Sequence, residues 1–105
     1  MKNEKIYSQL EQIFTQDELS RFAITEKQSG VRIVVNVHGL KCFQVRQMLN
    51  NLISVLRMKF HLLVIHGYNH GTAIKNMLEN DFKNCHVTNM RPDPFNKGVT
   101  HMSVI

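Results

Sequence analysis

The chain has little cysteine and no long apolar run. Cys42 and Cys85 are its two thiols among 105 residues. A small secreted domain usually carries more, paired as staples, so a disulfide framework is not the reading here. Both are expected as buried or half-buried small apolar residues. The sharper alternative is a reactive thiol at Cys42, near the start of a helix. No stretch approaches the roughly 18 consecutive apolar residues that a membrane span needs. The opening MKNEKIYSQLEQIF has acids and glutamines where a secretory signal would be apolar. The expected location is therefore the cytoplasm, with no membrane partner. Internal repeats and low-complexity tracts are missing too, and this length fits one domain with a modest core.

Acidic residues are scarce and unevenly placed. Residues 1–26 hold Lys2, Lys5 and Arg21 against Glu4, Glu11, Asp17, Glu18 and Glu26, a net −2. Residues 27–105 hold ten Lys or Arg against Glu79, Asp81 and Asp93, a net +7. A basic body favours polyanions: nucleic acid first, then an acidic partner or membrane surface.

Hydrophobic spacing then gives the elements. Ile6, Leu10, Ile13 and Phe14 share one face of a helix over 4–14. Thr15 and Glu18 have capping-box spacing for a second short helix ending near Arg21. A hairpin follows: strand 22–26, turn 27–30, strand 31–37. The stretch VRIVVNV reads as a strand buried on both faces. A helix over 43–58, a buried strand at 60–66, a helix over 72–82 and a third core strand at 85–90 come next. The loop at 91–98 leads to a closing strand at 99–105, antiparallel to the third. The core order is β-α-β-α-β-β. Such alternation predicts an α/β two-layer sandwich with a mixed, mostly parallel sheet. The division expected is 1–30 as an N-terminal helical extension with a hairpin strand, and 31–105 as the domain proper.

The chemistry concentrates at two strand ends. One finishes in Asn36-Val37-His38-Gly39 and the other in Ile65-His66-Gly67. If those strands are neighbours, His38 and His66 face one crevice, where ligands of parallel sheets bind. Each glycine also has a plain structural use, a sharp turn off a strand. After the second pair, Tyr68, Asn69, His70 and Gly71 lead to Thr72, a candidate N-cap, and Lys75 in the first helical turn. A helix N-terminus approached by small residues can cradle a phosphate. It is not a Walker loop, since the glycine-lysine-serine/threonine run is missing. His66 and His70 lie four apart but not on one helix, and no familiar zinc spacing is present, so no metal site is assigned. His61, His86 and His101 read as strand residues facing solvent or half-buried. Two imidazoles could act as acid and base, although no carboxylate falls at either strand end to orient them. In the 91–98 loop, Arg91 and Lys97 flank Phe95. The three could grip a single strand by charge and stacking, or Phe95 could tuck back onto the sheet.

These residues resemble the Smr (small MutS-related) domain. VNVHGL at 35–40 is similar to its hydrophobic-Asp-hydrophobic-His-Gly motif, and VIHGYNHGTAIK at 64–75 to its His-Gly-x-Gly-x-Gly motif. The resemblance covers about residues 31–105. It implies a compact α/β sandwich like the C-terminal domain of bacterial translation initiation factor three, nucleic acid (DNA or RNA) as partner, and endonuclease activity in several members. His38 would take the first-motif histidine and His66 the second. Asn36 stands where the family has Asp, and it can be neither general base nor anionic metal ligand. Asn69 replaces the middle glycine, and Tyr68 takes a position often basic in the family, where it could stack on a base. Binding therefore carries over better than cleavage. No cofactor is assigned, and a divalent metal enters only with nuclease activity. The alternative function is a protein-interaction or homodimerisation module that uses the apolar face of the N-terminal helix.

Overall fold

A computed structural model describes residues 2–67 and 72–105, apart from the side chains of residues 2 and 3. The chain runs α1 (Lys2–Glu11), α2 (Gln16–Leu19), β1 (Phe22–Lys27), β2 (Gly30–Asn36), α3 (Cys42–Leu56), β3 (Phe60–Ile65), α4 (Ala73–Asn80), β4 (Val87–Pro92) and β5 (Val99–Val104). It is a mixed α/β protein. Its Cα radius of gyration, 13.0 Å, is that of one closely packed body of this length.

Local chemistry accounts for the boundaries. Thr15 Oγ1 accepts from the Glu18 amide while Glu18 Oε1 accepts from the Thr15 amide, a reciprocal box that starts α2. Gln44 Oε1 accepts from the Lys41 amide at the head of α3. Pro92 sits on the edge strand β4, where no ladder donor is lost.

The five strands lie in the order β1-β2-β3-β5-β4. β2 and β3 pair in parallel, with Asn36 beside Ile65. The other pairings, β1 with β2, β3 with β5 and β4 with β5, are antiparallel. The expectation of a mostly parallel sheet is thus corrected. β5 inserts between β3 and β4, which would otherwise lie side by side pointing the same way. The same insertion makes β4 an edge strand, largely exposed, rather than the core strand expected.

Burial alternates along the strands: Ile33 and Val35 on β2, and Phe60, Leu62 and Val64 on β3, are buried, while their neighbours are not. β2 is therefore half-buried, not buried on both faces as its β-branched run suggested. The buried face meets α1, α3 and α4 in one cluster that includes Leu10, Leu49, Leu52, Leu78 and Met102. Residues 1–30 share this sheet and core through β1, Ile6, Leu10 and Phe14. The apolar face of α1 is consumed inside the chain. Ile13, expected on that face, is 44% exposed because the helix ends at Glu11 and the backbone turns. Cys42 is half-buried, but Cys85 is exposed in the connection before β4, not buried or half-buried as expected.

Candidate functional site

Parallel pairing of β2 and β3 sets their C-terminal ends side by side. Beyond the last pair, the Val37 amide donates to the Ile65 carbonyl at 2.9 Å. Both chains then turn at glycines with positive φ, +86° at Gly39 and +80° at Gly67. L side chains rarely adopt this backbone. Gly67 is needed for a second reason: a Cβ there would overlap the His38 imidazole. The ring of one His-Gly pair thus lies on the glycine of the other. A third backbone joins them from the segment before β5. The Gly98 carbonyl accepts from the His66 amide at 2.9 Å and the Gly67 amide at 3.1 Å. A Cβ on Gly98 would stand 3.2 Å from Gly67 Cα, so a side chain there would fit only with a small shift of the Gly67 backbone.

The two histidines are held differently. His38 is exposed. Its amide donates to Asn36 Oδ1 at 3.0 Å, an Asx turn that shapes the strand end. His66 is 5% exposed. Its Nδ1 lies 2.9 Å from the Gly67 carbonyl oxygen, which can only accept, so Nδ1 carries a proton. Its Nε2 meets Thr100 Oγ1 at 2.8 Å, and Thr100 is fully buried. Both ring nitrogens of His66 are therefore engaged inside the protein. Sequence patterning had no access to Thr100, because β5 was expected beside β4 rather than beside β3.

Arg21 was also missed. Its Nη1 donates to the Asn36 carbonyl at 3.0 Å and lies 3.4 Å from that of His38, so a cation from the α2–β1 junction braces the first turn. The hairpin register was a usable signal: Phe22 opposite Val35 puts Arg21 opposite Asn36.

Around this point, Thr72 takes the N-cap position of α4, although its side chain does not cap the helix and instead accepts from Asn76 Nδ2 at 3.2 Å. Lys75 follows in the first turn, half-buried. Lys97 is exposed and adjoins Gly98. Phe95 is 98% exposed and does not tuck onto the sheet. Tyr68, Asn69, His70 and Gly71 lie outside the described residues. Arg91 is near the C-terminal end of β4, two strands across the sheet from β3. It pairs with His101 in the β4–β5 ladder, on the face of the sheet away from the helices.

On that face three side chains form a chain. Asp93 Oδ1 accepts from His101 Nε2 at 2.6 Å, and His101 Nδ1 lies 2.9 Å from His61 Nε2. Asp93 Oδ2 also accepts from the Phe95 and Asn96 amides. The His101 hydrogen bond, followed by the Phe95 amide, holds the Asp93 carboxyl below its usual value. His61 is lowered first by burial, then by the positive surroundings of His101, Arg32 and Arg91. Only one proton fits between the two facing nitrogens, so the rings cannot both be charged and keep their bond.

Among the described residues, no three His, Cys, Asp or Glu side chains converge as a metal would require. Among the described residues of the two turns, the polar side chains are Asn36, His38 and His66, and none is a carboxylate. No described helix is long and apolar enough to cross a membrane. Comparisons with protein-family models, curated proteins and solved structures found no match.

Proposed function

We propose that the chain binds nucleic acid at the crevice where the two His-Gly turns meet. The observation that carries this reading is the contact between the His38 imidazole and Gly67. It brings two strand ends together, next in sequence to the N-terminus of α4, on a stretch of chain with net +7. Phosphate would be taken by peptide N–H groups at the start of α4, with Lys75 and Lys97 adding charge. Of the two strand-end imidazoles, His38 is the exposed one and would face a ligand. His66 acts as a positioning residue: its Nδ1–H holds the Gly67 carbonyl, and Thr100 holds the ring.

The similarity of VNVHGL and VIHGYNHGTAIK to the Smr motifs supports the same reading, as does the α/β sandwich with helices on one face. A likeness to the C-terminal domain of translation initiation factor three belongs to this proposal as well. Cleavage is the weaker part. Asn36 spends its carbonyl on the His38 amide and supplies no carboxylate. Any hydrolysis would rest on His38 as acid or base, since both ring nitrogens of His66 are engaged.

The test is a panel of DNA and RNA substrates, single-stranded, duplex and branched, assayed for binding and cleavage with and without divalent metal. Wild type and His38→Ala are compared. Affinity should fall steeply as salt rises, and His38→Ala should weaken it. Cleavage unchanged by that substitution would point to a contaminant or another site. Absence of salt-sensitive binding to any member of the panel would refute the function.

A further inference from the structure

We propose that the helix-free face of the sheet is a second nucleic-acid contact, a track for a single strand leaving the crevice. This rests on the nucleic-acid reading of the crevice but uses different residues. Arg32 on β2 is paired with His61 on β3, and His101 on β5 with Arg91 on β4. The 2.9 Å bond between His61 and His101 joins the two pairs into a diagonal across four strands. His61 and His101 alternate with buried neighbours, Arg32 precedes buried Ile33, and Arg91 lies opposite His101 in the ladder, so all four stand on the open face. Val34 and Leu63, half-buried, border the diagonal on the side nearer the crevice.

Charge complementarity selects the occupant. Neither guanidinium has a hydrogen-bond or ion-pair partner among the described residues. The one carboxylate touching the diagonal, Asp93, is bonded to His101. Two guanidiniums on one face, with the single nearby carboxylate already bonded to His101, favour a polyanion. A second copy of this chain would bring the same two arginines against these and be repelled. A nucleic-acid strand supplies phosphates for the diagonal and base faces for Val34 and Leu63.

The dimensions suit this path. Arg32 to Arg91 spans three strand spacings, roughly 14 Å. From Gly67 back along β3 to Leu63 and His61 is roughly 13 to 20 Å at about 3.3 Å per residue. At the about 3.4 Å rise of a stacked strand, that is about four to six nucleotides. A strand seated at the crevice must exceed that length to touch both arginines.

Fluorescence anisotropy with labelled single strands of about four and about twelve nucleotides tests this length rule. The proteins are wild type, Arg32→Ala/Arg91→Ala, Arg32→Lys/Arg91→Lys and His38→Ala. The double alanine variant should lose roughly 25-fold in affinity for the long strand at 0.1 M salt. Its log–log salt slope should shrink by about 1.4, the value for two phosphate contacts. Its affinity for the short strand should be unchanged, and the double lysine variant should keep most of the slope. His38→Ala should weaken both strands. If wild type binds both but the alanine variant matches it on the long strand, the track is refuted and the crevice stands. Failure of wild type to bind either strand refutes both. Loss of self-association in the alanine variant, with nucleic-acid affinity unchanged, would assign the face to a second copy and overturn the proposal.

Discussion

The same dipeptide ends two neighbouring parallel strands, yet its two copies do opposite things. His38 stands outside and lays its ring on the partner turn. His66 is drawn inside and spends both ring nitrogens on the protein. The difference comes from what lies beside each strand. β3 has β5 as its other neighbour, and β5 brings buried Thr100 under the turn and Gly98 against its backbone. β2 has β1, which brings Arg21 to the turn's carbonyls but nothing that encloses the imidazole. Identical local sequence thus divides into a presenting turn and a locking turn once the sheet order is set.

Alanine at each histidine gives the widest contrast. His66→Ala should cost about 2–4 kcal/mol, since it leaves a cavity and strands the buried Thr100 hydroxyl. His38→Ala should stay within about 0.5 kcal/mol, as exposed positions usually do. Urea denaturation of the two variants measures both. Equal losses would erase the distinction drawn between the turns.

The glycines sharpen it at a finer scale. Gly39→Ala meets open space and pays for positive φ, about 1–2 kcal/mol. Gly67→Ala pays a similar strain and also displaces the His38 ring. The check is the imidazole signal of His38 in NMR spectra, which should move in Gly67→Ala and stay in Gly39→Ala.

Much of this was legible in the chain, and the failures share one cause. The helices, the hairpin and the convergence of His38 with Gly67 follow from spacing and from the rule for parallel strand ends. Sequence spacing could not reveal that β5 enters between β3 and β4. That single insertion hid the burial of His66, the role of Thr100, the edge position of β4 and the approach of His101 to His61. Asp93 is a loop residue, as read, but its bond to His101, eight residues away across the ladder, was not foreseen. Arg21 differs: the hairpin register contained it and only the reading passed over it.

The smallest expected effect separates the turns from the open face. The His61 imidazole is held below 6.5, chiefly by burial, so the unfolded chain takes up its proton first as pH falls. Its contribution to stability is full above about pH 6.5 and declines below that. Asp93, held below 3.8 chiefly by His101, keeps its contribution until the pH falls through the acid range. Melting temperatures between about pH 5 and 8 should therefore lose part of their slope in His61→Asn. An unchanged slope would place the near-neutral titration elsewhere.

The most direct test of the crevice is a backbone NMR titration of the wild-type protein with a short single-stranded oligonucleotide. Amide shifts should concentrate at His38, Gly39, Gly67, Thr72, Ala73 and Gly98, and disappear as salt is raised. The groove between the α1–α2 turn and α3, lined by Ile13, Arg21, Phe43 and Gln47, should stay silent apart from Arg21. Shifts confined to that groove, or none at all at the two His-Gly turns, would contradict the account.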